Sequence, residues 1–182
     1  MNKKVQLFFL DISEIVGSDG FSVVRLSDYD RQRLICFICD KTMTDQIALR
    51  IKHVPEVNRM LPEVLSKLLL GHAGNHWEML IYEVFEGQYR VVLYNRLSNV
   101  IEHLRMSDAV LLHYISKIPL YIEENLMMRQ STPYNPQTTG ISIPINTLDT
   151  ERLNHELERA IEAEDYMLAS HLHEELKRRI KL

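Results

Sequence analysis

Cysteine is nearly missing: the 182 residues hold two, Cys36 and Cys39, with no further pair elsewhere. That excludes a disulfide framework and leaves a Cys-x-x-Cys zinc site without its second ligand pair. Two free thiols and eight methionines fit a reducing compartment, so the cytoplasm is the expected location. An excess of one charge is missing too. Lys and Arg number 21 against 25 Asp and Glu, for a net charge of −4. No global field therefore draws the chain to nucleic acid or anionic membrane, and a polyanion site has to be a local basic patch. No apolar run approaches the roughly 20 residues of a membrane span. Near the start the apolar run is only Leu7 to Leu10, with no small-residue cleavage site after it, so no secretory signal is expected.

What is present is ordinary globular material, 46% hydrophobic and 25% charged, long enough to bury a useful core. The length suggests one domain with an appendage, or two very small domains. Lys4 to Ile12 and Phe21 to Leu26 read as strands around a Gly17–Gly20 turn. Leu34 to Cys39 reads as a strand without alternation, hence buried on both faces. Cys36 and Cys39, three apart in that strand, point to opposite faces. Thr42 to His53 has helical spacing through Met43, Ile47, Leu49 and Ile51, and Leu61 to Leu70 a second helix that Gly71 is expected to stop. His72 and His76 then fall in a loop and read as exposed histidines rather than as a metal pair.

The stretch from Trp77 to Glu124 organises the rest. Trp77 to Phe85 and Tyr89 to Tyr94 are β-branched and aromatic strands around Glu86-Gly87-Gln88, where Gly87 supplies the positive φ of a hairpin turn. Val100 to Leu104 adds a third strand, and from Ala109 the apolar positions Val110, Leu111, Tyr114, Ile115 and Ile118 switch to helical spacing. Between them lies a polar corner, Arg105-Met106-Ser107-Asp108. A strand-to-helix corner offers backbone N–H groups and a helix N-terminus together, which suits anion binding and equally suits plain capping. In the structural version Ser107 is the N-cap and Arg105 pairs with Asp108.

Residues 129–146 hold three prolines, a glycine and many Ser, Thr, Asn and Gln, and read as an extended linker. Beyond it, Leu153, Leu157, Ala160 and Ile161 form one apolar helical stripe, and Leu168, Ala169, Leu172, Leu176 and Ile180 another. Asp165 is placed to cap the second helix. A hairpin this small cannot hold itself together and has to pack on its own domain, a second copy or a partner. The basic end, Lys177 to Lys181, complements the helix dipole. The expected class is α+β: a mixed, mainly antiparallel sheet with packed helices, followed by a C-terminal two-helix hairpin. The expected organisation is a domain over 1–128, a linker over 129–148 and the hairpin over 149–182.

Two family resemblances follow from these residues. Leu153, Leu157, Ala160-Ile161, Glu164-Asp165-Tyr166, Ala169, Leu172 and Leu176 resemble the UVR motif, the helical hairpin of the UvrB and UvrC repair proteins, with His173 where that family usually has arginine. The resemblance implies a protein–protein contact device. Asp11 with Gly20-Phe21-Ser22-Val23-Val24, then Arg105-Met106-Ser107-Asp108-Ala109, then Ile118-Pro119-Leu120-Tyr121-Ile122 resemble the bifunctional nuclease domain. That family's Arg-Pro-Ser-Asp-Ala box falls on Arg105 to Ala109, and its Arg-Pro-Leu-Thr-His-Asp box on Arg59 to Val64. The aspartate it carries just before the first of these boxes is His103 here.

This resemblance implies action on DNA and RNA phosphodiesters. In that chemistry Arg105 clamps phosphate, Asp108 ligates a divalent ion such as Mg or Mn, and His103 or Glu63 serves as acid or base. The competing expectation is a catalytically eroded scaffold that dimerises and recruits a partner in DNA repair or a stress response. Either version has a protein partner on the hairpin and a homodimer, and neither needs a membrane.

Overall fold

Runs of Val, Ile, Leu and aromatic residues between turns set the strands, and eight strands join in one sheet. In the computed structural model, which describes residues 3–15, 20–73, 76–135 and 143–180, they are β1 (Lys4–Glu14), β2 (Ser22–Ser27), β3 (Arg33–Cys39), β4 (Trp77–Phe85), β5 (Gln88–Asn95), β6 (Ile101–Arg105), β7 (Leu120–Glu123) and β8 (Thr132–Pro133). Their order is β6-β5-β4-β7-β1-β2-β3-β8. Every neighbouring pair is antiparallel except β4 and β7. The helices are α1 (Lys41–Ile51), α2 (Leu61–Ala73), α3 (Met106–Ser116), α4 (Glu124–Gln130), α5 (Thr150–Glu162) and α6 (Tyr166–Ile180). The class is α+β, mixed and mostly antiparallel, with the last two helices paired as a hairpin. No helix among the described residues is long and apolar enough to cross a membrane.

One core cluster takes Val24, Ile35 and Phe37 from one end of the sheet and Met79, Val91 and Leu93 from the other, with Ile47, Val110 and Leu111 from the helices. Strands so far apart in the order share one core because the twisted sheet curls around it. Each fully buried Leu, Ile or Met contributes about 1.5–3 kcal/mol relative to exposure. The opposite face of β2 and β3 has its own small cluster of Val23, Leu34 and Cys36 under Tyr134 and Ile143. Cys39 belongs to the main core and Cys36 to this one, so the two thiols do face opposite sides of β3.

Four local expectations need correction. Helix α2 runs through Gly71 to Ala73, because a glycine stops a helix only by turning left-handed, and the positive-φ glycines described are Gly20 and Gly87. In α1 the inward positions are Met43, Ile47 and Arg50, while Ile51 is 41% exposed. Helix α3 starts at Met106, with Arg105 in the cap position, extended at φ −69 and ψ 149. Ser107 therefore sits in the first turn and is not the N-cap. Finally, the stretch expected to be plain linker begins inside α4, adds β8 to the edge of β3 and closes with a 3₁₀ turn at Ile145–Thr147. The Gly17–Gly20 turn lies largely outside the described residues, as does the His72 side chain.

The hairpin finds its partner on its own chain. Leu153, Ala160, Ala169 and Leu172 pack together with Ile145 and Leu148, Arg179 donates to the Asn146 carbonyl at 3.2 Å, and Asp165 caps α6 through the Leu168 N–H at 3.0 Å. Ile161, Leu168 and Ile180, expected on the apolar stripes, stay 54%, 37% and 85% exposed. At the other end of this contact, Glu86 and Gly87 take φ of 48° and 80° in the β4–β5 turn, the paired left-handed geometry that suits a twisted hairpin. Gly87 is needed twice. A Cβ there lies 2.4 Å from the Leu148 carbonyl oxygen, so only glycine lets the chain leading into the hairpin cross this turn.

Candidate functional site

Where the two ends of the curled sheet approach each other, a cavity of about 230 Å³ opens. The end of β3 supplies Phe37, Ile38 and Cys39, followed by Asp40; the β4–β5 turn supplies Gly87, Gln88 and Tyr89. Arg105, Met106 and Ser107 of the β6–α3 corner form a third wall, and Thr147 closes the fourth. The polar corner read from the sequence is thus one side of a half-open cavity and not an isolated cap.

Arg105 is the exposed cation of this site, its side chain 72% accessible. Its Nε donates to Asp108 Oδ2 at 2.7 Å and its Nη2 to Asp108 Oδ1 at 3.1 Å. The side edge of the guanidinium is thereby used up. Of the five N–H groups an arginine carries, three remain, all toward the outer end, in the fork geometry that matches phosphate oxygens. Hydrogen bonding to Asp108, then its charge and that of Asp40, holds the Arg105 pKa above its ordinary value. The α3 N-terminus has no side-chain cap, so its first N–H groups keep their partial positive charge.

Tyr89 adds the second polar feature. It is 5% exposed, and its hydroxyl is buried with no hydrogen-bond partner. Burial pushes its pKa up, so it is a neutral donor at any working pH. A buried hydroxyl left unpaired costs about 1–3 kcal/mol, and this one is sealed from the cavity space as well as from solvent. Asp40 is the one carboxylate among the residues lining the cavity; its Oδ1 caps α1 through the Met43 N–H at 2.9 Å.

The other residues proposed from the sequence lie elsewhere. Glu63, in α2, is 7% exposed and accepts from Arg50 Nε and Nη2, both at 2.8 Å. Both its oxygens are engaged by a buried guanidinium, and it does not line the cavity. His103 is exposed on the edge strand β6, two residues from Arg105, with its Nδ1 3.5 Å from the Tyr82 hydroxyl; it too is outside the cavity wall. Asp11, one of the family-like residues, pairs with Arg25 at the β1 bulge. The structure therefore brings Arg105 and Asp108 together and separates both from Glu63.

A divalent metal held by the protein alone does not fit these residues. Among the described residues no three His, Cys, Asp or Glu side chains are grouped as ligands, and Asp108 has both oxygens on Arg105.

Sequence reasoning missed Asp40, Gln88, Tyr89 and Thr147 as site residues. Asp40 and Tyr89 carry no spacing signal relative to Arg105, since only the curl of the sheet makes them neighbours. It also missed a second polar cluster, in which Glu78, 4% exposed, accepts from Lys4 and Tyr94 and lies 3.4 Å from Arg96. Burial raises the Glu78 pKa, but the hydrogen bonds from Lys4 and Tyr94 outweigh it and the net shift is downward. That cluster is satisfied by its own members and reads as a tie between β1, β4 and β5. No protein-family model matches the chain, and no curated protein matches it.

Proposed function

We propose that this chain acts in the cytoplasm on the phosphodiesters of nucleic acid, as its resemblance to bifunctional nucleases implies, and that the cavity at the β6–α3 corner is the phosphate site. The observation that carries the reading is the free outer edge of Arg105 beside the uncapped α3 N-terminus. Both features stabilise negative charge on phosphoryl oxygens, and they do so most strongly where water is excluded. Asp108 positions the guanidinium. Asp40, on the facing wall, is the group able to take a proton from the attacking water. The water oxygen then bonds to phosphorus, the P–O bond to the sugar breaks, and the leaving oxygen acquires a proton from solvent.

The test is cleavage of labelled single-stranded DNA and RNA with Mg²⁺, with Mn²⁺ and with EDTA, by the unaltered chain, Arg105→Ala, Asp108→Ala and Asp40→Asn. Loss of about tenfold or more in each variant supports the site, as expected when a charge-stabilising group worth over ~1.4 kcal/mol is removed. Undiminished cleavage by Arg105→Ala sinks it.

A second reading is favoured by one observation: Glu63 is locked in a buried ion pair and His103 is not among the residues lining the cavity, so the expected acid and base are not assembled. On that reading the domain binds nucleic acid without cutting it and serves as a dimerising scaffold. The exposed edge strand β6, with Ile101 61% exposed, pairs with a second copy, and the hairpin's exposed Ile161, Tyr166 and Met167 contact a protein partner. Binding without turnover, together with a dimeric mass in light scattering, selects it.

A further inference from the structure

Helix α2 is built inside out. Its buried residues are Glu63, paired with Arg50, and Ser66, with Leu69 and Leu70 packed on the core from the same side. Leu61, Val64, Leu65 and Leu68 point the other way and stand 77%, 40%, 43% and 53% exposed. Among the described residues of this helix, Lys67 is the exposed charge. A surface helix ordinarily shows the reverse, as α5 does, with Glu151, Glu158 and Arg159 outward and Leu153 and Ala160 inward. A Cβ built on Gly71, one turn beyond Leu68, meets no described neighbour within 4 Å. The four outward side chains expose about two whole leucines' worth of surface, and an apolar patch on the order of a few hundred Å² on one face marks a contact surface.

We propose that α2 docks against α2 of a second copy of this chain, antiparallel, across a two-fold axis. Spacing carries the choice of occupant. From Leu61 the steps to Val64, Leu65 and Leu68 are three, one and three, a series that reads the same from either end. Reversing one helix therefore sets Leu61 over the partner's Leu68 and Val64 over the partner's Leu65. That is the self-complementarity an isologous contact requires, and a different protein would need no such palindrome. Charge agrees with it. The stripe holds no ionised group, and its centre places Lys67 opposite the partner's Pro62, with the two lysines about 7.5 Å apart along the axis. Area sets the strength: a standard interface buries roughly 800 Å² per partner, so a smaller stripe makes a dimer in exchange with its monomer. None of the four residues lines the Arg105 cavity and none belongs to β6, so the inference rests on neither reading of the site.

The experiment is sedimentation equilibrium of the full chain from micromolar to near-millimolar concentration. The average mass should rise with concentration from one chain toward two. Leu65→Glu and Leu68→Glu should each weaken the dimer at least tenfold. Both positions are exposed, so the urea midpoint of dilute, monomeric protein should stay unchanged or rise. Mixing tests the pairing itself. Leu61→Lys should also lose the dimer, yet an equal mixture with Leu68→Glu should recover it, because the opposite charges meet when the helices run antiparallel. A single-chain mass at every concentration overturns the inference and leaves the stripe to a different protein. A dimer that survives the α2 variants and is lost in Ile101→Lys overturns it in favour of the β6 edge. Failure of the mixture to associate overturns the antiparallel pairing.

Discussion

Replacing Glu63 by alanine should unfold this protein far more readily than it affects any chemistry. Arg50 and Glu63 have side chains only 4% and 9% accessible, and they share two hydrogen bonds of 2.8 Å. Arg50 also donates to the Gln46 carbonyl and to Gln46 Oε1, each at 2.8 Å, so its other N–H groups stay satisfied when Glu63 is lost. What remains is Nε and part of Nη2 facing a void, with a guanidinium charge uncompensated under protein. Breaking a buried pair from one side costs about 3–5 kcal/mol. Against a typical domain stability of about 5–15 kcal/mol, that is roughly a fifth or more of the total.

The sole tryptophan, Trp77, reports on this region because its indole N–H donates to the Leu69 carbonyl of α2 at 3.1 Å. Urea unfolding followed by Trp77 fluorescence should show a lower midpoint for Glu63→Ala with the slope unchanged. The apolar pair Arg50→Met with Glu63→Leu should recover most of the loss, since two matched apolar groups carry no desolvation penalty. A Glu63→Ala loss under about 1 kcal/mol would refute the buried-pair argument, as that is the range of solvent-exposed pairs, and would return Glu63 to the list of groups free to act on substrate.

Gly87→Ala meets a Cβ position 2.4 Å from the Leu148 carbonyl oxygen at φ +80°. The left-handed backbone alone costs about 1–2 kcal/mol, and the contact with Leu148 should release the hairpin, seen as faster proteolysis near residues 148–149. His113 is buried with its ring Nδ1 2.7 Å from the Ile118 carbonyl; burial, partly opposed by that bond, holds its pKa below 6.5. The unfolded chain therefore binds the proton first, so His113 makes stability fall as pH drops below 6.5 and on through the folded value. His113→Gln should flatten that part of a stability-versus-pH curve, and an unchanged slope would remove His113 as its cause. Burial pushes the Cys36 thiol up to about 11 and raises Cys39 as well. Neither should alkylate with iodoacetamide at pH 8 while folded, and both should react in urea; mass spectrometry counts the adducts.

Much of the architecture could be read from short-range pattern. Strands β4 and β5, the Gly87 turn and helix α3 are encoded in neighbouring residues, and so are the opposed faces of Cys36 and Cys39. The Asp165 cap and the pairing of α5 with α6 follow from spacings within a few residues. Errors arose where a residue's meaning depends on distant contacts. Gly71 looks like a helix stop but remains helical, with open space around it. Residues 129–148 look like linker but supply an edge strand to β3 and a floor for the hairpin. Arg50, on which the helical spacing of α1 was silent, is inside because Glu63 arrives from another helix to pair with it.

By itself, the sequence determined the elements, because periodicity, turn residues and caps act over a handful of positions. It also determined that Arg105 and Asp108 would meet, since three residues across a strand-to-helix corner bring their side chains into reach. Tertiary structure alone decided the site. Asp40, Tyr89, Arg105 and Thr147 are separated by long stretches of chain, and they line one cavity only because the sheet curls its two ends together and Gly87 lets the Leu148 backbone pass. The same curl left His103 on an outer edge and Glu63 sealed behind Arg50, and no local pattern records either outcome.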